Sequence, residues 1–373
     1  MLRNFKINID TALVFIVLFC TYIFPLGLID NTYIYSKMIF VACSMIYLVL
    51  NIKSFTFKNL IFIILLLLLS IFLKDISYMF FITLPILDKL MKKEEIIKDY
   101  ILNSNILFVC LLFTIIYTIV FWGNEGRYAF SAIKEVNQSG LAIFCLGCLL
   151  LKKNRNIGII TLSFGLLTFS RSYILALFLL ILTKTKIYKK IVSNALIKRS
   201  SYTFLVFISS IIFIFIGLYF IQQYKLGNVI YSNIISKRLN LLDYSNFYRF
   251  IAILKVIFIY KNEPFKLFTG VTSDEYILYS IEFSKANSIP NRNIVPHNLF
   301  FSHIKIYGII AIAETIYVST ILKKIVNKDN YGIYIAIVLY SLLLGAGLYS
   351  YWLFLSVFVL IIFSNNWGDS YEK

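Results

Sequence analysis

Charge is what this 373-residue sequence has least of, and negative charge least of all. Asp and Glu number 18 against 36 Lys and Arg, and charged residues together make up only 14% of the chain. Water-soluble domains carry about 25% charged residues, so the composition argues against an ordinary soluble fold. The shortage also leaves no Asp/Glu pair at the defined spacing of a glycoside hydrolase. Histidine is rarer still: the two present are His297 and His303. The five cysteines, Cys20, Cys43, Cys110, Cys145 and Cys148, all lie inside apolar blocks and read as small hydrophobes. Cys145 and Cys148 form a CxxC with no accompanying histidine or second CxxC, which argues against a metal or redox site. There is no Walker, Rossmann or zinc motif. No internal repeat of the inverted-repeat transporter kind is visible either. Long solid apolar runs, in place of short alternating ones, exclude a transmembrane β-barrel.

What is present is apolar bulk. Hydrophobic residues make up 60% of the chain, with 35 Phe and 27 Tyr. A helix needs about 20 apolar residues to cross a hydrocarbon core. About twelve blocks approach that length: 8–28, 33–50, 59–73, 76–90, 101–121, 138–151, 157–170, 172–183, 201–221, 298–322, 330–346 and 349–364. The expected fold class is therefore all-α: a polytopic transmembrane bundle of about 12 helices, one integral membrane domain over 1–373. Block 76–90 carries Pro85 and charged flanks, and reads as a span or a re-entrant segment. Blocks 157–170 and 172–183 read as two helices meeting at a break or as one bent helix. The first block lacks a small-residue cleavage site and is expected to be a retained helix.

A net charge of +18 would suit a nucleic-acid partner. The basic residues, however, sit in the short breaks between apolar blocks, as a topology signal does, so no nucleic acid is expected. With the N-terminus in the cytoplasm, Lys89, Lys92, Lys93 and Lys98 fall inside, as do Lys184, Lys186, Lys189 and Lys190. The short outer loops hold only Lys37, Lys74, Arg127 and Lys134. Both termini are then cytoplasmic. One long segment, 222–297, lies outside. It contains Asn246–Lys261, with apolar residues at helical spacing around Arg249 and Lys255. This stretch is expected to be an amphipathic helix lying at the membrane face, ended by Pro264 and Gly270.

Four polar constellations fall on the outer side. Ser170-Arg171-Ser172 interrupts the apolar run Leu166–Thr183. An arginine at membrane depth is expensive. Either it snorkels from a helix end, or it joins the flanking serines at a helix break to hold an anion. Arg127 and Asn137 lie in GNEGRYAFSAIKEVNQSGLA, whose simple reading is a hydrated turn. Arg249, with Arg238 upstream, either rests on phospholipid headgroups or binds an anion. PHNLFFSHIKIYG, Pro296–Gly308, holds His297, which is either a general base or part of a helix cap with Asn298. His303 lies well round the same helix and reads as a packing residue. Arginines in a water-excluded setting bind diphosphates through fork-shaped donor pairs.

The order of these elements resembles the Wzy-type O-antigen and capsular polysaccharide polymerases and the related O-antigen ligases. TFSRSYILAL is similar to that family's Ser-Arg element at a helix break, and GRYAFSAIKEVNQSGLA to its earlier arginine-plus-Asn element. YRFIAILKVIFIYKNEPFKLFTGVT is similar to its external-loop arginine helix, and PHNLFFSHIKIYG to its His-Asn element closed by a glycine, here Gly308. The sequence departs from the family pattern in two places. Only Gly270 remains of a Gly-x-Gly turn, and Ile306 stands where an acidic residue often precedes the final glycine.

The resemblance implies a GT-C-like membrane glycosyltransferase of the bacterial cytoplasmic membrane. Donor and acceptor would be glycans on undecaprenyl diphosphate, with membrane lipid around them, and a chain-length regulator protein would be a further partner. Arg171 and Arg249 would hold the diphosphate leaving group, and His297 would act as base. Arg127, Asn137, Ser170, Arg238 and Asn298 would help bind substrate. Neither metal nor organic cofactor is implied. An O-antigen ligase, with the same chemistry and another acceptor, is the nearer alternative. A lipid-linked oligosaccharide flippase is the further one. A transporter more often keeps charges along the middle of several helices, whereas here the ionisable residues cluster outside.

Overall fold

The computed structural model describes residues 8–24, 32–72, 76–120, 136–168, 170–229, 242–294, 296–344 and 348–364. The regular elements among them are helical, with no β-strand. In chain order the first are α1 (Ile9–Leu18), α2 (Thr32–Leu50), α3 (Phe57–Phe72), α4 (Thr83–Met91), α5 (Glu94–Asn103) and α6 (Ile106–Val120). Next come α7 (Val136–Lys153), α8 (Arg155–Phe164), α9 (Arg171–Leu182), α10 (Lys186–Ile191), α11 (Asn194–Arg199) and α12 (Tyr202–Lys225). The remainder are α13 (Tyr244–Asn262), α14 (Lys266–Thr269), α15 (Ser273–Asn287), α16 (Leu299–Tyr307), α17 (Ile309–Ile325), α18 (Tyr331–Leu344) and α19 (Ser350–Phe363).

Side-chain oxygens mark where several of these helices begin. A helix leaves its first amides without internal partners, and Ser, Thr, Asp and Asn supply acceptors for them. Asn154 opens α8 by accepting from Ile157, Ser201 opens α12 by accepting from Phe204, and Asp243 opens α13 by accepting from Asn246. Thr272 and Glu275 form a reciprocal capping box at the start of α15.

The chain separates into two units. The first comprises Met1–Lys198, Thr320–Tyr340 and Ala346–Lys373. Its centre is α19, in which every residue is buried. A helix apolar on all sides has no solvent face to offer and takes the interior. Packed on it are α1, α2, α5 and α7. At its edge α7 and α8 fold back on one another: a Cβ at Gly158 would fall 2.4 Å from the Leu151 backbone nitrogen. Asp10, 1% exposed, accepts the Tyr47 hydroxyl at 2.7 Å and pairs with Lys93 at 2.5 Å.

The second unit comprises Arg199–Ser319 and Ser341–Gly345. Its core joins Phe220 and Ile221 of α12, Phe247, Tyr248, Ile251 and Leu254 of α13, and Phe283 of α15. Aromatic rings knit it together, with Phe220 stacked on Phe250 at 5.6 Å and Tyr224 on Phe247 at 5.1 Å. Burial covers most of the circumference of α13, Lys255 included. The stretch expected to lie on a surface is therefore a core helix of this unit. Arg249 and Lys255 point to different sides, because six residues turn a helix well past one full revolution.

Among the described residues one helix, Tyr202–Lys225, is long and apolar enough to cross a membrane. Glu94–Asn103 and Ile106–Ile119 pass the same test only together, across a bend of 59°. Two of the other apolar blocks are interrupted. Block 76–90 begins as a 3-10 turn, Ile76–Ile82, before α4. Block 298–322 is cut into α16 and α17 at Gly308, whose φ of 55° and ψ of −131° no α-helix tolerates. Large apolar side chains nevertheless point outward: Phe207 is 62% exposed and Phe215 67%. Soluble proteins rarely leave contiguous surfaces of this kind uncovered.

Candidate functional site

Arg171 begins a helix. After Phe164 the backbone tightens into a 3-10 turn, Gly165–Thr168, and Ser170 is extended, with φ −85° and ψ 122°. The two apolar blocks are therefore two helices with a true break, not one bent helix. Local hydrogen bonds hold the break. The Thr168 hydroxyl donates to the Gly165 carbonyl at 2.8 Å, and its oxygen accepts from the Ser170 amide at 3.3 Å. The Tyr173 hydroxyl reaches back to the Leu162 carbonyl at 2.5 Å, and its ring occupies the space beside Gly165. A Cβ at Gly165 would fall 2.0 Å from the Tyr173 Cζ.

This geometry sets Ser170, buried, beside Arg171, exposed. The Ser170 side chain does not cap α9, and the amides at a helix start carry partial positive charge. Gly140 of α7 lies against Tyr173 and Thr168, with its Cβ position 3.5 Å and 3.7 Å from their side chains. The start of α7, which carries Asn137, is thus at the same end of the first unit as Ser170 and Arg171. Arg127 and Arg238 lie outside the described residues.

The remaining predicted residues belong to the second unit. Asn298 caps α16, its Oδ1 accepting from the Phe301 amide at 3.0 Å. Its Nδ2 donates to the Leu342 carbonyl at 2.9 Å, and the residue is 2% exposed. Both ends of the amide serve the fold, so Asn298 positions the chain at His297 and is not itself placed to bind substrate. His297, half-buried, is held immediately before this cap. Arg249 sits in the first half of α13, half-buried, next to Tyr248.

His303 is more than a packing residue. Its Nδ1 lies 2.6 Å from Glu314 Oε2, and both side chains are 7% exposed. Its ring also meets Tyr307 edge-on at 5.5 Å. The sequence did carry a signal for this pair: Glu314 is the one carboxylate inside block 298–322, and an ionisable group within an apolar run needs a partner. Lys305 is a buried cation on α16, its Nζ 4.5 Å from the centre of the Tyr276 ring. Lys255, in the stretch of α13 expected to lie at a surface, is instead buried. Burial pulls its ammonium down to about 8 from the ordinary lysine value.

Compared with protein-family models, curated proteins and solved structures, the chain shows no match to any of them.

Proposed function

We propose that the chain is a multi-pass membrane glycosyltransferase. It joins undecaprenyl-diphosphate-linked repeat units at the outer face of the bacterial cytoplasmic membrane, with both termini cytoplasmic. The observation that carries this reading is the break at Ser170-Arg171. An exposed guanidinium stands at a helix start that the Ser170 side chain does not cap, between two apolar helices, where an anion gains from both charge and backbone amides. Snorkelling alone would not call for a break held by Thr168 and Tyr173. The outward-facing apolar side chains of α12 support a hydrocarbon surrounding.

In this reading an acceptor hydroxyl attacks the anomeric carbon of the donor glycan. The new carbon–oxygen bond forms as the bond to the lipid diphosphate breaks, and the electron pair leaves on the diphosphate. The hydroxyl proton passes to His297, held in place by the Asn298 cap. The resemblance, not the placement of the two units, assigns Arg171 and Arg249 to the charge that grows on the leaving group, which is electrostatic catalysis.

The test is polymerisation of a defined lipid-diphosphate-linked repeat unit by the purified full chain. Arg171→Ala and His297→Ala each lower the rate about 100-fold or more. Normal long chains from both variants would sink the assignment. In cells, single repeat units on the carrier in a mutant support a polymerase. Long polymer stranded on the carrier would make the protein a ligase instead, and substrate movement without bond formation a flippase.

A further inference from the structure

From Ile289 to Ile294, after α15, the backbone has no regular structure, yet it is pinned at successive points. The Lys255 ammonium donates to Asn291 Oδ1 at 3.1 Å and to the Arg292 carbonyl at 2.9 Å. The Ser284 hydroxyl of α15 donates to the same Asn291 oxygen at 3.3 Å. The Tyr276 hydroxyl donates to the Ile294 carbonyl at 2.9 Å. Held from behind in this way, Arg292 lays its guanidinium over the Tyr248 ring, 5.0 Å from the centroid. Tyr248 is 7% exposed and Lys255 2%, whereas Arg292 is open to its surroundings. Among the described residues no carboxylate pairs with Lys255 or with Arg292.

Two features make this more than a tidy loop. Burying an ammonium with no counter-ion is costly, and fixing one carbonyl does not require a charge. Lys255 bears that cost to hold the backbone from which Arg292 projects. Contact with the Tyr248 ring, in turn, restricts where the guanidinium lies, and its planar set of N–H donors is not taken up by a carboxylate among the described residues. That arrangement leaves a fork matched to two oxygens of one phosphate. With the ring contact and the backbone both set in advance, less side-chain freedom is lost on binding.

We propose that Arg292, preset by Tyr248 and Lys255, is a phosphate-binding residue of the second unit. Its ligand is the phosphate of a phosphorylated lipid: a carrier-lipid diphosphate or a phospholipid headgroup. The carrier-lipid form rests on the glycosyltransferase reading, whereas the phosphate chemistry does not. Arg292 stands shortly before His297 in the chain, so a phosphate held there lies along the same pinned segment that leads to the proposed base.

The experiment is calorimetric titration of the purified full chain in detergent. Inorganic diphosphate is one probe, and a short-chain phosphatidylglycerol below its micellar concentration is the other. Arg292→Gln weakens binding about tenfold or more, and Arg292→Lys weakens it less, since a lysine keeps charge but not the fork. Tyr248→Phe retains affinity, whereas Tyr248→Leu loses several-fold, which a merely structural tyrosine hydroxyl would not produce. Loss confined to diphosphate assigns the carrier lipid, loss confined to phosphatidylglycerol assigns the headgroup, and loss of both supports the shared chemistry. Wild-type failure to bind either probe, or equal binding by Arg292→Gln, overturns the proposal. A wild type that binds diphosphate but forms no polymer from the lipid-linked repeat unit removes the glycosyltransferase reading and leaves the Arg292 site standing.

Discussion

Gly270 and Gly308 pack backbone against backbone. A Cβ at Gly308 would fall 3.3 Å from the Gly270 nitrogen and 2.0 Å from the Leu267 carbonyl oxygen; a Cβ at Gly270 would fall 1.8 Å from the Ile306 carbonyl oxygen. Both have positive φ, 76° and 55°. The Val271 amide closes the contact by donating to the Lys305 carbonyl at 2.7 Å. Two glycines from separate sequence elements thus account for each other: one ends α14, the other ends α16, and neither has room for a side chain.

Alanine at either position is expected to destabilise the protein by about 3 kcal/mol or more, combining backbone strain with a clash against a carbonyl that cannot move aside. Gly227 supplies the control. Its φ is 75°, but nothing lies within 4 Å of its Cβ position, so Gly227→Ala costs about 1 kcal/mol. Thermal unfolding of the three variants in detergent measures the difference; equal shifts would mean that the close approach contributes nothing.

The His303–Glu314 pair is the second place where removal of one partner is telling. Glu314→Leu strands a buried imidazole and is expected to cost about 3 kcal/mol. Glu314→Gln keeps an acceptor and costs less. The double variant His303→Leu/Glu314→Leu removes both polar groups and is expected to be more stable than Glu314→Leu alone. A double-variant penalty equal to the sum of the single penalties would show that the two residues are not coupled.

Lys255 gives a pH dependence of defined sign. Burial lowers its folded-state value to about 8 from 10.5. Between those two values the unfolded chain binds the proton that the folded chain has given up, so stability rises with pH across that window. Below about 8 both states are protonated and the folded state carries the full burial penalty. Melting curves of the wild type against Lys255→Met from pH 7 to pH 10 should show the wild type gaining relative stability as pH rises. A flat difference would place the ammonium in water.

At the helix break, Tyr173→Phe removes the hydroxyl that reaches the Leu162 carbonyl. The expected cost is about 1 kcal/mol, that of one buried hydrogen bond. Hydrogen exchange at the amides of 165–170 should rise with it; protection unchanged there would show that Tyr173 does not hold the turn.

Much of the helical layout was legible from local signals. Asn298 announces the start of α16 as a capping residue and Pro264 follows the end of α13, whereas block 298–322 reads as one span and is cut at Gly308. The break at Ser170-Arg171 was visible as polar residues inside an apolar run, although a bent helix fitted equally well until Thr168 and Tyr173 were seen to pin it. Lys255 was the opposite case. Its neighbours repeat at helical spacing and suggest a polar face, but its partners Asn291 and Arg292 are remote in sequence and lie in a segment with no periodicity at all. Helical pattern reports which side of a helix is apolar; it cannot report that a distant loop will cover the other side. Arg292 escaped notice for the same reason, since its stack on Tyr248 is a tertiary contact.

The brevity of α9 has a consequence for the surroundings of Arg171. Twelve residues rise about 18 Å, against a hydrocarbon thickness of about 30 Å. On the proposed membrane-embedded reading, a helix this short is accommodated by thinning: the headgroup plane dips toward the start of α9. On the proposed function, water and lipid phosphates then come down to the guanidinium, and the carrier lipid meets it without its phosphates leaving the interface.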